Sequence, residues 1–311
     1  MGGKKLQRQY KKHLSSFNTW TPREHAHQWI VYPQNIGSHL SIDEIALSQG
    51  ELYTIVTNKK AKGKKGSLVA IVAGTKAEQV IEHISKIDHK LRHRVIEITL
   101  DMANSMKLIA KRCFPKAIQV TDRFHVQKLA LEALQEIRIK YRWEAMDREN
   151  QLIIQAKSHN KVYIPDLLPN GDSVKQLLAR SRYLLYKSRE KWTDTQKERA
   201  QMIFELYPDI KTAYNLNQQL RGIYNNHNDK HIAMTKLAHW YRNVEESGFK
   251  NFNILLNTIT FNYQSILNYF DNRSTNAAAE SFNAKIKAFR SQFRGVRKID
   301  FFLFRLSNLF A

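Results

Sequence analysis

The chain has 311 residues, with 50 Lys and Arg against 28 Asp and Glu, for a formal charge of +22. A hydrophobic content of 42% with 11% aromatics excludes a disordered basic tail, and the charge implies a polyanionic partner, nucleic acid first. A single cysteine, Cys113, excludes an internal disulfide and a cysteine-built zinc site, and no uninterrupted run of about 18 apolar residues is present to form a spanning helix.

Residues 1–39 read as a basic N-terminal arm. It opens on Lys4, Lys5, Arg8, Lys11 and Lys12 and includes Trp20, Pro22, Trp29 and Pro33. From residue 40 the pattern becomes strand-like: 40–47, then 51–57 after a Gln49-Gly50 turn, then 67–73. Between the last two lies a cationic, glycine-containing loop, residues 59–66. Helical spacing at Val80, Ile81 and Ile84 predicts a helix over 76–87. A strand over 94–100, a helix over 102–112 and a short strand over 117–121 follow. Three strands, then helix–strand–helix–strand, imply an α/β class with a mixed five-stranded sheet carrying helices on its faces, over residues 40–122.

Beyond Asp122 the strand signals stop. Residues 123–270 read as an all-helical insertion, with helices over 124–158, 174–191, 195–217, 218–224, 230–246 and about 251–270. Residues 271–311 read as two more helices, 276–290 and 299–309, returning to the core. Trp143, Trp192, Trp240 and Tyr241 have apolar neighbours and are expected to pack in the core. His13, His25, His27 and His39 lack a zinc spacing and read as surface residues, and Cys113 reads as a small buried hydrophobe.

With only 28 carboxylates in the chain, those at strand ends stand out. Alternation in the first strand puts Ser41, Asp43 and Ile45 on one face and Ile42 and Glu44 on the other. Asp101 follows an apolar run, at the strand end where open α/β sheets tend to hold ligands. Glu280 opens a helix behind Ala277, Ala278 and Ala279, small neighbours that permit close approach to a sheet. Two acids on strands and one on a helix suit a pair of divalent metals, although each acid alone is more often a solvated end or a cap.

Several segments, in this order, resemble DDE transposases of the ISL3 type: Ser41-Ile42-Asp43-Glu44; Thr99-Leu100-Asp101-Met102; Phe114-Pro115-Lys116-Ala117; Val120-Thr121-Asp122-Arg123-Phe124-His125-Val126; and Asn276-Ala-Ala-Ala-Glu280-Ser-Phe-Asn283-Ala-Lys285-Ile-Lys287. The resemblance implies a ribonuclease-H-like catalytic domain with a large all-helical insertion. It implies Mg²⁺, with Mn²⁺ as a substitute, held by a catalytic and metal-binding triad of Asp43, Asp101 and Glu280. It also implies metal-dependent hydrolysis and strand transfer at insertion-sequence ends, DNA as transposon end and target, a homo-oligomer, and a bacterial, cytoplasmic, nucleoid-associated setting. Family members commonly carry an upstream zinc-binding and helix-turn-helix region. This chain has neither the cysteines nor the length for one, so a separate end-recognition protein is expected as a partner.

Asp122 and His125 have two readings of equal weight from the residues alone. They are either near-site residues supporting the acids, or a helix cap and a packed first-turn side chain, and the resemblance favours the former. Lys285, Lys287, Arg290 and Arg294, with the 59–65 loop, are the candidate DNA-phosphate contacts. Two rival readings stay open. One is a ribonuclease-H-like nuclease without strand transfer, and the other is a catalytically dead DNA-binding remnant.

Overall fold

Runs rich in β-branched residues become buried strands when neighbours cover both of their faces. The computed structural model describes residues 8–47, 50–292 and 299–311, and in it these runs form one sheet. Its strands are β1 (Trp29–Val31), β2 (His39–Ala46), β3 (Leu52–Asn58), β4 (Leu68–Ala73), β5 (Glu97–Leu100) and β6 (Ile118–Thr121), in the order β1-β4-β3-β2-β5-β6. The β1/β4, β3/β4 and β2/β3 pairs are antiparallel, whereas β2/β5 and β5/β6 are parallel.

The sheet therefore has six strands rather than the expected five. The extra one, β1, lies in the segment read as an arm and pairs Trp29 with Val72 and Val31 with Ala70. Three residues are too few to show a period, so this strand exists through its partner and not through its own pattern. The 16–24 segment is also part of the fold: Phe17 and Trp20 pack edge-on against Phe301 and Phe304. Gln49 of the expected hairpin turn lies outside the described residues.

Helices cover both faces of the sheet. On one, Leu40, Ile42, Ile98 and Leu100 pack with Val80 and Ile84 of α1 (Ala77–Ile84), beyond which a short α2 (His89–Arg92) follows, and with Met106 and Ile109 of α3 (Asn104–Cys113). On the other, Ile45, Ile55 and Ile71 meet Phe282 and Ile286 of a helix at Ala277–Gln292 and Phe302, Leu303 and Leu306 of another at Ile299–Phe310. Burying each such side chain contributes about 1.5–3 kcal/mol. Ile42 and Ile45 thus face opposite ways, and Asp43 shares the Ile45 face by alternation.

The chain divides into two compact units, residues 1–122 with 264–311, and residues 123–263. The second consists of α4 (Arg123–Ser158), α5 (Val174–Arg180), α6 (Arg182–Tyr186), α7 (Asp194–Leu206), α8 (Pro208–Asn226), α9 (Lys230–Ser247) and most of α10 (Asn253–Leu267). The helix expected over 195–217 is split because Pro208 opens α8 at its first turn and pushes Tyr207 out of helical geometry, at φ −133° and ψ 80°. Capping boxes at Ser173/Gln176 and Thr193/Gln196 start α5 and α7. α8 is tied to α4 by Asn217 Nδ2, which donates to the Ala130 carbonyl at 2.9 Å. Trp240 is buried, its Nε1 donating to the Leu216 carbonyl, but Trp143 is 60% exposed and is not the core residue expected. The remaining helices, α11 (Tyr269–Asn272), α12 (Ala277–Gln292) and α13 (Ile299–Phe310), belong to the first unit. Among the described residues, no helix is long and apolar enough to cross a membrane.

Candidate active site

Register decides which side chains meet at the end of a sheet. β2 and β5 match His39 with Glu97, Leu40 with Ile98 and Ser41 with Thr99. Carried two residues further, the same offset sets Asp43 level with Asp101. β5 and β6 match Leu100 with Thr121, and one residue on, Asp122 N donates to the Leu100 carbonyl at 3.0 Å, placing Asp122 level with Asp101. Asp101 and Asp122 thus lie level just past the carboxyl ends of β5 and β6, and the extended β2/β5 register puts Asp43, inside β2, in the same row, about 4.8 Å per strand step.

Two of them are held by hydrogen bonds. Asp101 Oδ1 accepts from the Ala103 amide at 2.9 Å, which folds the turn into α3. Asp43 Oδ1 accepts from the Glu44 amide at 2.8 Å, and its Oδ2 accepts from Asn283 Nδ2 of α12 at 2.7 Å. Glu280 lies one turn before Asn283 on that helix, and a Glu280 carboxylate oxygen comes within 4.8 Å of one from the buried Asp122. The three acids expected as a triad, Asp43, Asp101 and Glu280, do not all approach one another to that distance among the described residues. His125, half-buried, stands in the first turn of α4, in the second unit.

The acids sense one another. The Glu44 carboxyl is pushed above the ordinary carboxylate range, first by partial burial and then by the charges of Asp101 and Asp43. Carboxylates so placed fit a hard divalent cation, and the buried Asn283 Oδ1, with no hydrogen-bond partner, adds an acceptor beside Asp43.

The candidate DNA contacts are dispersed. Lys285 and Lys287 are exposed on α12, and Lys285 Nζ donates to the Gly63 carbonyl at 3.0 Å. Arg290 is 7% exposed and donates to both Glu51 oxygens at 3.1 and 3.2 Å while lying over Phe302, so its charge is spent inside the fold. Arg294 lies outside the described residues. Lys59, read as part of a cationic loop, is instead turned inward against Glu97, Thr99 and Ser274. A lone Glu97 within an apolar strand was the available signal for that buried partner.

A family model described as a transposase, of the DDE and ISL3 type, matches residues 40–306. Over 274 residues the chain is 22% identical to a protein of Bordetella parapertussis named as the transposase for insertion sequence element IS1001. That alignment covers 88% of this chain and 61% of the relative, so the chain spans about three-fifths of the relative's length. The family match runs through the strands and the helix that supply Asp43, Asp101, Asp122 and Glu280, and this chain belongs to the ISL3 family of DDE transposases.

Proposed function

We propose that this chain cuts DNA at insertion-sequence ends and joins the freed ends to target DNA, using Asp43, Asp101 and Glu280 as its catalytic carboxylates with Asp122 beside them. The observation that carries the reading is the row Asp43–Asp101–Asp122 under a helix whose Asn283 holds Asp43 and whose Glu280 approaches Asp122. The order β4-β3-β2-β5-β6, antiparallel and then parallel, supports a ribonuclease-H-like core with β1 added at its edge.

Asp43, Asp101 and Glu280 would hold two Mg²⁺ ions, with Mn²⁺ able to replace them, and the ions would supply activation of the attacking oxygen and stabilisation of the leaving oxygen. The protein's own part is positional. Asn283 fixes the Asp43 rotamer, the Ala103 amide fixes Asp101, and the paired strands keep the carboxylates at one level. Phosphoryl transfer asks little more of side chains than placement and charge. Hydrolysis at the element end leaves a 3′ hydroxyl, and that hydroxyl would then attack a target phosphodiester in line at the same carboxylates, joining to the target 5′ phosphate and releasing the target strand's 3′ hydroxyl.

The test is cleavage and joining of element ends by Asp43→Asn, Asp101→Asn and Glu280→Gln. Each change keeps the shape and removes the charge. Each is expected to lower strand cleavage by more than about a hundredfold, since even residues that merely orient metal ligands cost about 10–100-fold. DNA affinity should stay within a factor of about 3, because phosphate contacts set it. Cleavage retained in any one variant removes that residue from the site. Pre-cut ends that fail to join, with cleavage intact, would assign the chain as a nuclease instead.

A further inference from the structure

Below the row of acids, on the same face of the sheet, lies a polar cluster that the reaction as described does not use. Alternation in β5 puts Glu97 and Thr99 on the Asp101 side. Lys59, in the turn after β3, sends its ammonium across that face. There it donates to Thr99 Oγ1 at 2.7 Å and Ser274 Oγ at 2.5 Å, and reaches Glu97 Oε1 at 3.5 Å. Ser274 Oγ donates to the same Glu97 oxygen, and Asn272 Nδ2 donates to the other at 3.4 Å. The side chains of Lys59 and Glu97 are only 15% and 4% exposed.

Burying two charges is costly, and apolar residues of similar volume would serve a core at least as well. What the pair offers instead is connection. Thr99 stands two residues before Asp101. Ser274 and Asn272 stand six and eight residues before Glu280, in the segment that launches α12. One ammonium and one carboxylate thus link the strand that delivers one acid to the segment that delivers another. Burial, in first place, pulls the Lys59 ammonium below the ordinary lysine range, while Glu97 and then Asp122 push it back up.

We propose that the Lys59–Glu97 pair is a positioning device that sets the spacing between Asp101 and Glu280, and through that spacing the affinity of the carboxylates for divalent cations. This rests on the reading of those acids as a metal site, and the experiment separates the two. Lys59→Met alone would leave Glu97 buried without its cation and could prevent folding, so the informative protein is the K59M/E97M double variant, in which both charges leave together.

Two measurements are made on the full chain without DNA: Mn²⁺ titration followed by electron paramagnetic resonance, and amide hydrogen exchange. The double variant is expected to bind Mn²⁺ at least tenfold more weakly than the parent. Exchange should be faster in 274–283 and 99–103 and unchanged in β4. In cleavage assays the lost rate should be largely recovered at high Mg²⁺, which a purely structural defect would not allow. A folded double variant with parental Mn²⁺ affinity and parental exchange in 274–283 overturns the proposal, even if its melting temperature falls. If the parent's Mn²⁺ binding is insensitive to Asp43→Asn, the metal-site reading fails, and parental or faster exchange in 274–283 still decides whether the pair braces the helix.

Discussion

Arg290 shows at the residue scale how little a formal charge says about a partner. Its place in a run with Lys285 and Lys287 suggests a phosphate contact, yet its guanidinium is buried between Glu51 and the Phe302 ring. Breaking such a pair from one side leaves a carboxylate with few other partners and a gap over the ring. Arg290→Ala should therefore cost about 3 kcal/mol, the low end for a buried pair because Glu51 keeps some contact with water. The urea midpoint measures it. DNA affinity per folded molecule and its salt dependence should not change. A variant of full stability that binds DNA more weakly would return Arg290 to the DNA-contact group. Cys113 illustrates the opposite case, a residue type whose sequence reading needed no partner: the thiol is fully buried and its pKa is pushed up to about 11 by burial, with Arg92 working weakly against it.

At the scale of elements, α12 carries both Glu280 and Asn283, and its inner face is set by Ala279, Phe282, Asn283 and Ile286, all buried, at helical spacing. Ala279 is 1% exposed and sits next to Glu280, whereas Ala277 is exposed. Ala279→Leu should overfill that contact at about 1–3 kcal/mol and lift Glu280 from Asp122, so that cleavage falls further than the melting temperature explains. Ala277→Leu is the control, with little expected change in either. Equal effects of the two substitutions would show that close approach at Ala279 is not what places Glu280. This face was legible in the sequence because its period is local, as was the alternation that puts Asp43 with Ser41 and Ile45. The level row of acids was not, since it depends on which strands pair and with what offset, and β5 and β6 show four residues each. β1 was hidden by its length and Lys59 by its cationic neighbours. Asp122 was visible as a residue but not as the carboxylate facing Glu280.

Across the whole molecule the excess charge is uneven. The unit holding the sheet carries 28 basic against 13 acidic residues, and the helical unit 22 against 15. Within the first unit, Lys60, Lys62, Lys64 and Lys65 are exposed, and the Lys285–Gly63 hydrogen bond fastens their loop to the helix that bears Glu280. Gly63, at φ 71°, allows this: the left-handed backbone suits glycine, and an added Cβ would stand 3.0 Å from Lys285 Nζ. These cations are thereby fastened to the helix that bears Glu280, and under the proposed function they are the candidate contacts for DNA phosphates. Each lysine that neutralises a phosphate contributes about 0.9 to the slope of log affinity against log salt. Replacing Lys62, Lys64 and Lys287 together by Gln should lower that slope by about 2–3, weaken binding alike for element ends and unrelated duplexes, and leave the melting temperature unchanged. Fluorescence anisotropy at several salt concentrations reads the slope directly. A slope that stays parental would move the DNA path off this ridge, and a loss confined to element ends would make these lysines readers of sequence rather than of charge.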